Sequence, residues 1–216
     1  SNAVSNVEIS GFTFDLSSGA SAIADAGALN YDGLTVTNNE FVDADGATVV
    51  DLSSGDYADG LTVNANTFDS SNDYKAIAIN GSGLAGTTPF EVVDNEINDA
   101  DGSDAIDFTT PIADSDVDLA IQDNVVTNQT NNNATNLTVA DADSVTISGN
   151  TLSGETDGAA TGLNISVSAG SDIVSVSDNE ITGFDNEAGA GTGVWVDTAD
   201  VSFSTNTFAD NARHFY

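Results

Sequence analysis

The stretch LTVTNNEF at residues 34–41 decides the fold of this chain, because its spacing returns along the whole sequence. Its first, third and eighth positions are apolar, and its sixth position is Asn39. Related segments follow one another at intervals of 26 to 29 residues. A repeat of this length indicates a solenoid or another repeat architecture. The segments start at Val7, Leu34, Leu61, Phe90, Leu119, Val145, Val174 and Val201.

The apolar positions of the repeat alternate as they do in strands with one buried face. The first, third and eighth positions are Val, Ile, Leu or Phe in every segment, which makes 24 of 24 positions. Alternation over four or five residues predicts a β-strand that faces a core. A second alternating stretch lies between segments, for example at Ile77 and Ile79. Each repeat therefore predicts at least two strands.

The composition favours turns between short strands over helices. The chain has 28 Asp, 23 Asn and 20 Gly, which are turn formers and poor helix formers. A leucine-rich repeat needs a helix per unit and a propeller blade needs about 40 residues, so neither fits. The pattern predicts an all-β, single-stranded parallel β-helix of about eight coils, each climbing about 4.8 Å.

This repeat resembles the right-handed parallel β-helix of the pectate-lyase-like superfamily, over essentially residues 4–208. The resemblance implies that the asparagine at the sixth position adopts a left-handed backbone conformation at a strand corner. It also implies that the amide stacks on its equivalent in the next coil. Asparagine tolerates positive φ, which is consistent with this role. We interpret the ladder as structural; its members are Asn39, Asn66, Asn95, Asn124, Asn150, Asn179 and Asn206, with Phe12 in the first repeat.

The charge of the chain excludes several classes of partner. It has 35 acidic residues against 2 Lys and Arg, a formal net charge of -33. Such a surface repels nucleic acid and anionic lipid, so no binding to either is predicted. No apolar run approaches the roughly 18 residues of a membrane span, so no membrane insertion is predicted.

The turns carry this negative charge, and equivalent turn carboxylates are predicted to stack about 5 Å apart. Each such pair would repel by about 0.8 kcal/mol in water. High salt, as around a halophilic or marine protein, would screen the repulsion, and bound calcium would neutralise it. Plain solvated turns are the alternative. No cofactor is predicted to be required; the calcium candidates are Asp43, Asp45, Asp99, Asp101 and Asp104.

The outward positions of the first strand are rich in hydroxyl groups. They include Thr35, Thr37, Thr62 and Asn64. Such a face could bind polysaccharide or ice, or it could serve only solubility. Trp195 lies between the inward Val194 and Val196, so its side chain is predicted to point outward. An exposed indole could stack on a sugar ring or on a neighbouring domain, or pack under a loop.

No catalytic residue is predicted. The resemblance implies that lyase chemistry needs calcium-binding carboxylates and a basic residue. The only Lys and Arg are Lys75 and Arg213, and Arg213 and His214 are predicted to lie in a loose tail beyond the last repeat. Carboxylate pairs at glycosidase spacing recur throughout a stacked Asp ladder, so spacing alone identifies no active site.

These observations predict one domain over residues 4–216, after a three-residue remnant of an expression tag. We expect a non-catalytic structural or adhesive module of a longer extracellular or cell-surface protein. Its expected partners are polysaccharide or neighbouring modules, and open strand edges could also allow end-to-end self-association. The alternatives are a polysaccharide-active enzyme of the same fold, either a glycoside hydrolase or a lyase, and an ice-binding protein.

Overall fold

The chain folds as a parallel β-solenoid, as the repeat predicts. The computed structural model describes residues 3–17, 19–25, 30–57, 60–70, 73–79, 83–84, 88–100, 103–110, 117–139, 142–155, 160–167, 173–185, 191–197 and 200–216. All regular structure in these residues is β-strand, and neighbouring strands pair in parallel. No helix in these ranges has the length and apolar character needed to cross a membrane.

In the described residues, the backbone makes eight circuits, each with one strand in each of three sheets. The first four circuits contain β1 (Ala3–Ser10), β2 (Thr13–Asp15), β3 (Ile23–Ala24), β4 (Asn30–Thr37), β5 (Glu40–Val42), β6 (Thr48–Leu52), β7 (Asp56–Tyr57), β8 (Leu61–Asn64), β9 (Thr67–Asp69), β10 (Lys75–Ile79), β11 (Gly83–Leu84), β12 (Phe90–Val93), β13 (Glu96–Asn98) and β14 (Ile106–Thr110). The last four contain β15 (Asp118–Gln122), β16 (Val125–Gln129), β17 (Asn133–Val139), β18 (Ser144–Ser148), β19 (Thr151–Gly154), β20 (Thr161–Val167), β21 (Ile173–Ser177), β22 (Glu180–Thr182), β23 (Thr192–Val196), β24 (Val201–Ser204), β25 (Thr207–Ala209) and β26 (Arg213–Phe215).

The three sheets follow the three parts of each repeat. The first sheet is built from the opening segment of each repeat, and β7 and β11 extend it to ten strands. The second sheet has eight strands, mostly of three residues, that follow the asparagine corner. The third sheet has eight strands from the second alternating stretch. Sequence patterning revealed two of these strands per repeat, because three residues are too few to show alternation.

About six of the eight circuits are enclosed turns. In the six inner circuits the first, third and eighth repeat positions are buried, as at Leu61, Val63 and Phe68. In the first and last circuits these positions are only partly buried. The prediction of eight equivalent coils is therefore corrected to about six closed turns with a more open circuit at each end. An outer circuit has a neighbour on one side only, so its core side chains keep solvent contact.

The left-handed residue at the first corner is the one before the asparagine. Ala65 has φ 53° and Asp94 has φ 55°, and each directly precedes an asparagine of the repeat. Asn66 and Asn95 themselves do not have positive φ. The expectation that the asparagine adopts the left-handed conformation is therefore wrong. The preceding residue makes the turn, and the asparagine side chain is buried inside the rod.

The seven repeat asparagines form a continuous row of hydrogen bonds along the rod. Each of the first six donates a side-chain N–H to Oδ1 of the next asparagine at 2.8–3.0 Å. The backbone N–H of the same residue donates to that oxygen at 3.0–3.1 Å. Phe12 begins the row with its backbone N–H only, 3.1 Å from Oδ1 of Asn39. The row satisfies polar groups that the solenoid buries between coils.

Candidate functional site

The outer surface of the third sheet carries the single tryptophan of the chain, its Lys and Arg, and a row of hydrogen-bonded polar side chains. Strands of a solenoid stack in register, so equivalent residues of successive coils form rows along the rod. One outward row passes through β10, β14, β17, β20 and β23 and ends beside the last residue of the chain. We call the surface around it the third-sheet face; the row is Ala78, Asp107, Asn136, Asn164, Trp195 and Tyr216.

The middle of this row is a chain of side-chain hydrogen bonds. Asn136 donates from Nδ2 to Oδ1 of Asp107 at 3.0 Å. Asn164 donates from Nδ2 to Oδ1 of Asn136 at 2.8 Å. Both asparagines are half-buried, so each retains an exposed edge. We call these three residues the polar row; its amides are held in one orientation before any ligand arrives.

An aromatic pair continues the row. The rings of Trp195 and Tyr216 stack with centroids 4.1 Å apart and an interplanar angle of 19°. Their exposed fractions are 38% and 62%. The guanidinium carbon of Arg213 lies 5.5 Å from the centre of the Tyr216 ring. The indole therefore has an aromatic neighbour that sequence analysis missed, because only the register of the last circuit places Tyr216 beside it.

Lys75 and Arg213, the only Lys and Arg of the chain, both lie on this sheet. Lys75 begins β10 and forms an ion pair with Asp107. Arg213 begins β26, and His214 follows it in the same strand, which pairs with β23. The prediction that these two residues lie in a loose tail is wrong. Three residues are enough for a third-sheet strand, so the last circuit has a strand in each of the three sheets.

Two carboxyl groups near Lys75 have pKa values displaced in opposite directions. Burial raises the pKa of Asp104, although Asn133 donates its backbone N–H and its Nδ2 to Oδ1 at 2.9 and 2.8 Å. Burial also acts to raise the pKa of Asp107, but hydrogen bonds from Lys75 and Thr109 outweigh it, and that pKa lies below its usual range. Opposite displacements occur in acid–base pairs. Here both groups are engaged in hydrogen bonds with protein neighbours and tie adjacent coils together.

The predicted calcium residues fall in separate coils. Asp43 and Asp45 are exposed residues of the second coil, and Asp99 and Asp104 are partly buried in the fourth. Asp101 lies outside the described residues. Among the residues that the structure describes, no three Asp, Glu or His side chains converge as metal ligands. The two acidic segments therefore do not combine into one site.

Acidic side chains of the second sheet alternate with neutral ones from coil to coil. Thr67 separates Glu40 from Glu96, and Glu180 stands between two threonines. The nearest equivalent carboxylates are thus about 10 Å apart, where their repulsion falls to about 0.4 kcal/mol in water. The prediction of stacked carboxylates concerned the turns and does not extend to these strand rows. At the first corner, Asp94 and Asp123 precede the repeat asparagines of adjacent coils, so two turn carboxylates are neighbours there.

The predicted glycan-contact residues are divided between two sheets. Thr35, Thr37, Thr62 and Asn64 lie half-buried on the first sheet, where Thr37 donates to Oδ1 of Asn64 at 2.9 Å. Trp195 lies on the third sheet. These residues therefore do not form one surface, because the second alternating stretch faces a different direction from the first.

Comparison of the chain with protein-family models, with curated proteins and with solved structures gave no match.

Proposed function

We propose that this chain is a non-catalytic, extracellular binding module that recognises a neutral polysaccharide through the third-sheet face. The observation that carries the proposal is the continuous row on that face, in which the polar row meets the stacked pair of Trp195 and Tyr216. Oriented amides beside exposed aromatic rings are the two kinds of group that bind sugars, through hydroxyl hydrogen bonds and ring contacts.

The spacing of the row suits a linear polymer lying along the rod. Successive coils rise by about 4.8 Å, which is close to the length of one sugar unit in an extended chain. The Asn164 side chain is shorter than that of Trp195 and precedes it in the row. The indole face toward Asn164 would therefore rise above the asparagine, and a sugar ring over Asn164 would pack against that face.

Charge supports a neutral ligand over an acidic one. The net charge of -33 creates a negative potential around the whole rod. A polymer of uronic acids or sulfated sugars would approach against that potential, whereas a neutral glycan would not. The ligand would then depend on hydrogen bonds and ring contacts, which the third-sheet face supplies.

Membership of the pectate-lyase-like superfamily is part of this proposal. Its support is the buried asparagine row and the three parallel sheets of the solenoid. Association with neighbouring modules or end to end is also proposed; the outermost circuits expose Phe12 and Phe215 at 56% and 51%. Such apolar surface favours contact with another protein surface.

Co-sedimentation with insoluble polysaccharides tests the proposed function. Cellulose, chitin and xylan serve as neutral probes, and calcium pectate gel serves as an acidic one. Trp195→Ala and Asn164→Ala should each weaken binding to the preferred neutral glycan by roughly tenfold, the loss of one good contact. Phe12→Ala is the matched control, because it removes an exposed aromatic residue from the opposite end of the rod.

Two results would contradict the proposal. One is unchanged glycan binding in both Trp195→Ala and Asn164→Ala, which would place recognition on another surface. The other is release of reducing or unsaturated sugars from any probe, which would show a catalytic protein.

A further inference from the structure

The aromatic pair fixes how the indole of Trp195 stands on the third-sheet face. Trp195 and Tyr216 are neighbours in register on successive circuits, so the line from one ring to the other runs along the rod. Their ring centroids lie 4.1 Å apart and their planes differ by 19°. Rings that are nearly parallel at this separation are stacked face over face. The ring planes therefore lie roughly across the rod, with Tyr216 covering one face of the indole.

The other face of the indole blocks one end of the polar row. It points along the rod toward Asn164, the neighbour of Trp195 in β20. Asn164 is half-buried and its amide is bonded to Asn136, whereas Trp195 is 38% exposed. The larger indole therefore stands above the polar row. A polymer in contact with the row could not continue past the indole without leaving the surface.

In the described part of the chain, the opposite end of the polar row carries no such obstruction. Beyond Asp107 the row continues as Ala78, whose side chain is a single methyl group and is buried. Lys75 reaches Asp107 from beside the row, and its side chain is only 23% exposed because it lies against the surface. The polar row is therefore open to a polymer at the Ala78 end and closed at the Trp195 end.

Hydroxyl groups accompany the polar row along its length. The adjacent outward row consists of Thr109, Thr138 and Ser166, which pair in register on β14, β17 and β20. Thr138 is exposed and Ser166 is half-buried. Hydroxyl and amide groups both donate and accept hydrogen bonds, as sugar hydroxyl groups require. This polar surface covers three coils, which suits a short run of sugars rather than a long stretch of polymer.

We propose that the third-sheet face binds the end of a glycan chain. The terminal sugar lies over Asn164 against the indole, the next sugars lie over Asn136 and Asp107, and the chain leaves the rod over Ala78. This inference rests on the proposed function and names the part of the polymer that the site recognises. A glycan that instead crossed the rod along the strands would meet no obstruction, and its binding would depend on internal sugars.

Binding capacity measured against the number of chain ends tests the inference. Cellulose, chitin and xylan are each used intact and after brief acid hydrolysis, with chain ends counted as reducing groups. If the site takes a chain end, doubling the ends at constant mass should roughly double the protein bound at saturation. Capacity that stays constant while the ends increase would overturn the inference and leave the proposed function standing. No binding to any of the three glycans would overturn both.

Calorimetry with xylo-, cello- and chito-oligosaccharides of increasing length supplies a second measurement. Affinity should increase up to about three sugars, one for each coil of the polar row at about 4.8 Å, and then remain constant. Affinity that keeps rising with length would indicate binding to internal sugars and would overturn the inference.

Two variants separate the obstruction from the affinity of the site. Replacing both rings, Trp195→Ala together with Tyr216→Ala, should weaken binding and remove its dependence on chain ends, because a polymer could then pass along the row. Asn164→Ala is the matched control, since it should weaken binding by roughly tenfold while capacity still follows the number of ends. End dependence that persists in the double variant, or that disappears in Asn164→Ala, would contradict the inference.

Discussion

Asn66 donates both its backbone N–H and a side-chain N–H to Oδ1 of Asn95, at 3.1 and 3.0 Å, across 29 residues of sequence. One buried oxygen thus serves two donors of the preceding coil, and the same arrangement repeats along the rod. Asn95 in turn donates to Oδ1 of Asn124 at 3.0 Å and to the carbonyl oxygen of Val63 at 2.9 Å. A single asparagine therefore connects three coils.

Asn95→Ala should strongly destabilise the solenoid. It would leave two buried donors of Asn66 without their acceptor and the Val63 carbonyl without its side-chain donor. Each buried group left unsatisfied costs about 1–3 kcal/mol, so we expect a loss of roughly 2–4 kcal/mol in urea denaturation. Asn131→Ala is the control, because Asn131 is exposed and, among the residues that the structure describes, its side chain bonds only to its neighbour Thr130. Equal stability of the two variants would show that the row contributes nothing.

Ala65→Gly should stabilise the protein, although replacing alanine by glycine usually lowers stability. Ala65 has φ 53°, a left-handed conformation that costs a residue with a Cβ about 1 kcal/mol. Glycine adopts it freely, so we expect a gain of up to about 1 kcal/mol in urea denaturation. The control is Ala24→Gly, at an exposed position of β3 where φ is not positive. It should lose about 0.5 kcal/mol. If Ala65→Gly lost as much unfolding free energy as Ala24→Gly, the assignment of Ala65 as the left-handed residue of the corner would be contradicted.

Thr67→Glu should destabilise the protein at low salt. It would create three consecutive glutamates, because Thr67 lies between Glu40 and Glu96 in adjacent coils. Two new pairs about 5 Å apart would repel by about 1.6 kcal/mol in total. Thr67→Gln is the matched neutral control. The difference between the two melting temperatures should shrink in about 1 M NaCl. A difference of the same size at low and high salt would argue against charge repulsion.

Lys75→Met should remove a pH-dependent part of the stability. The pKa of Asp107 is lowered in the folded protein, because its hydrogen bonds, foremost that from Lys75, outweigh burial. The resulting stabilisation is present above the unfolded pKa of about 3.9 and is lost as pH falls through the folded value. The variant should therefore be less stable by roughly 1–2 kcal/mol at neutral pH.

Urea denaturation from pH 7 down through the acidic range checks this dependence. The curves of the original protein and of Lys75→Met should approach each other as pH falls below the unfolded pKa of the Asp107 carboxyl. Asn131→Ala, which removes an exposed uncharged side chain, should run parallel to the original protein. Curves for Lys75→Met that stay parallel down to the lowest pH would exclude a role for the ion pair.

The third-sheet face was only partly predictable from sequence. The alternation of side chains identified Trp195 as outward, because its apolar neighbours Val194 and Val196 take the inward positions. Its contact with Tyr216 depends on the register of the last strand against β23, and the ion pair of Lys75 with Asp107 joins residues 32 positions apart. Such pairs follow from the number of residues in each circuit, which varies with the turns. The burial of Gln129 was also hidden, because a bulge breaks the regular alternation.

The sequence alone determined that the backbone returns to the same place about every 28 residues, because a buried strand face requires apolar side chains at alternate positions. It also identified the asparagine row, since its spacing matches that of the apolar positions. Only the tertiary structure decided which charges become neighbours, which residue makes the left-handed turn, and where a bulge buries a polar side chain. Those properties depend on register between coils, and register is set by the corners and bulges rather than by the repeat itself.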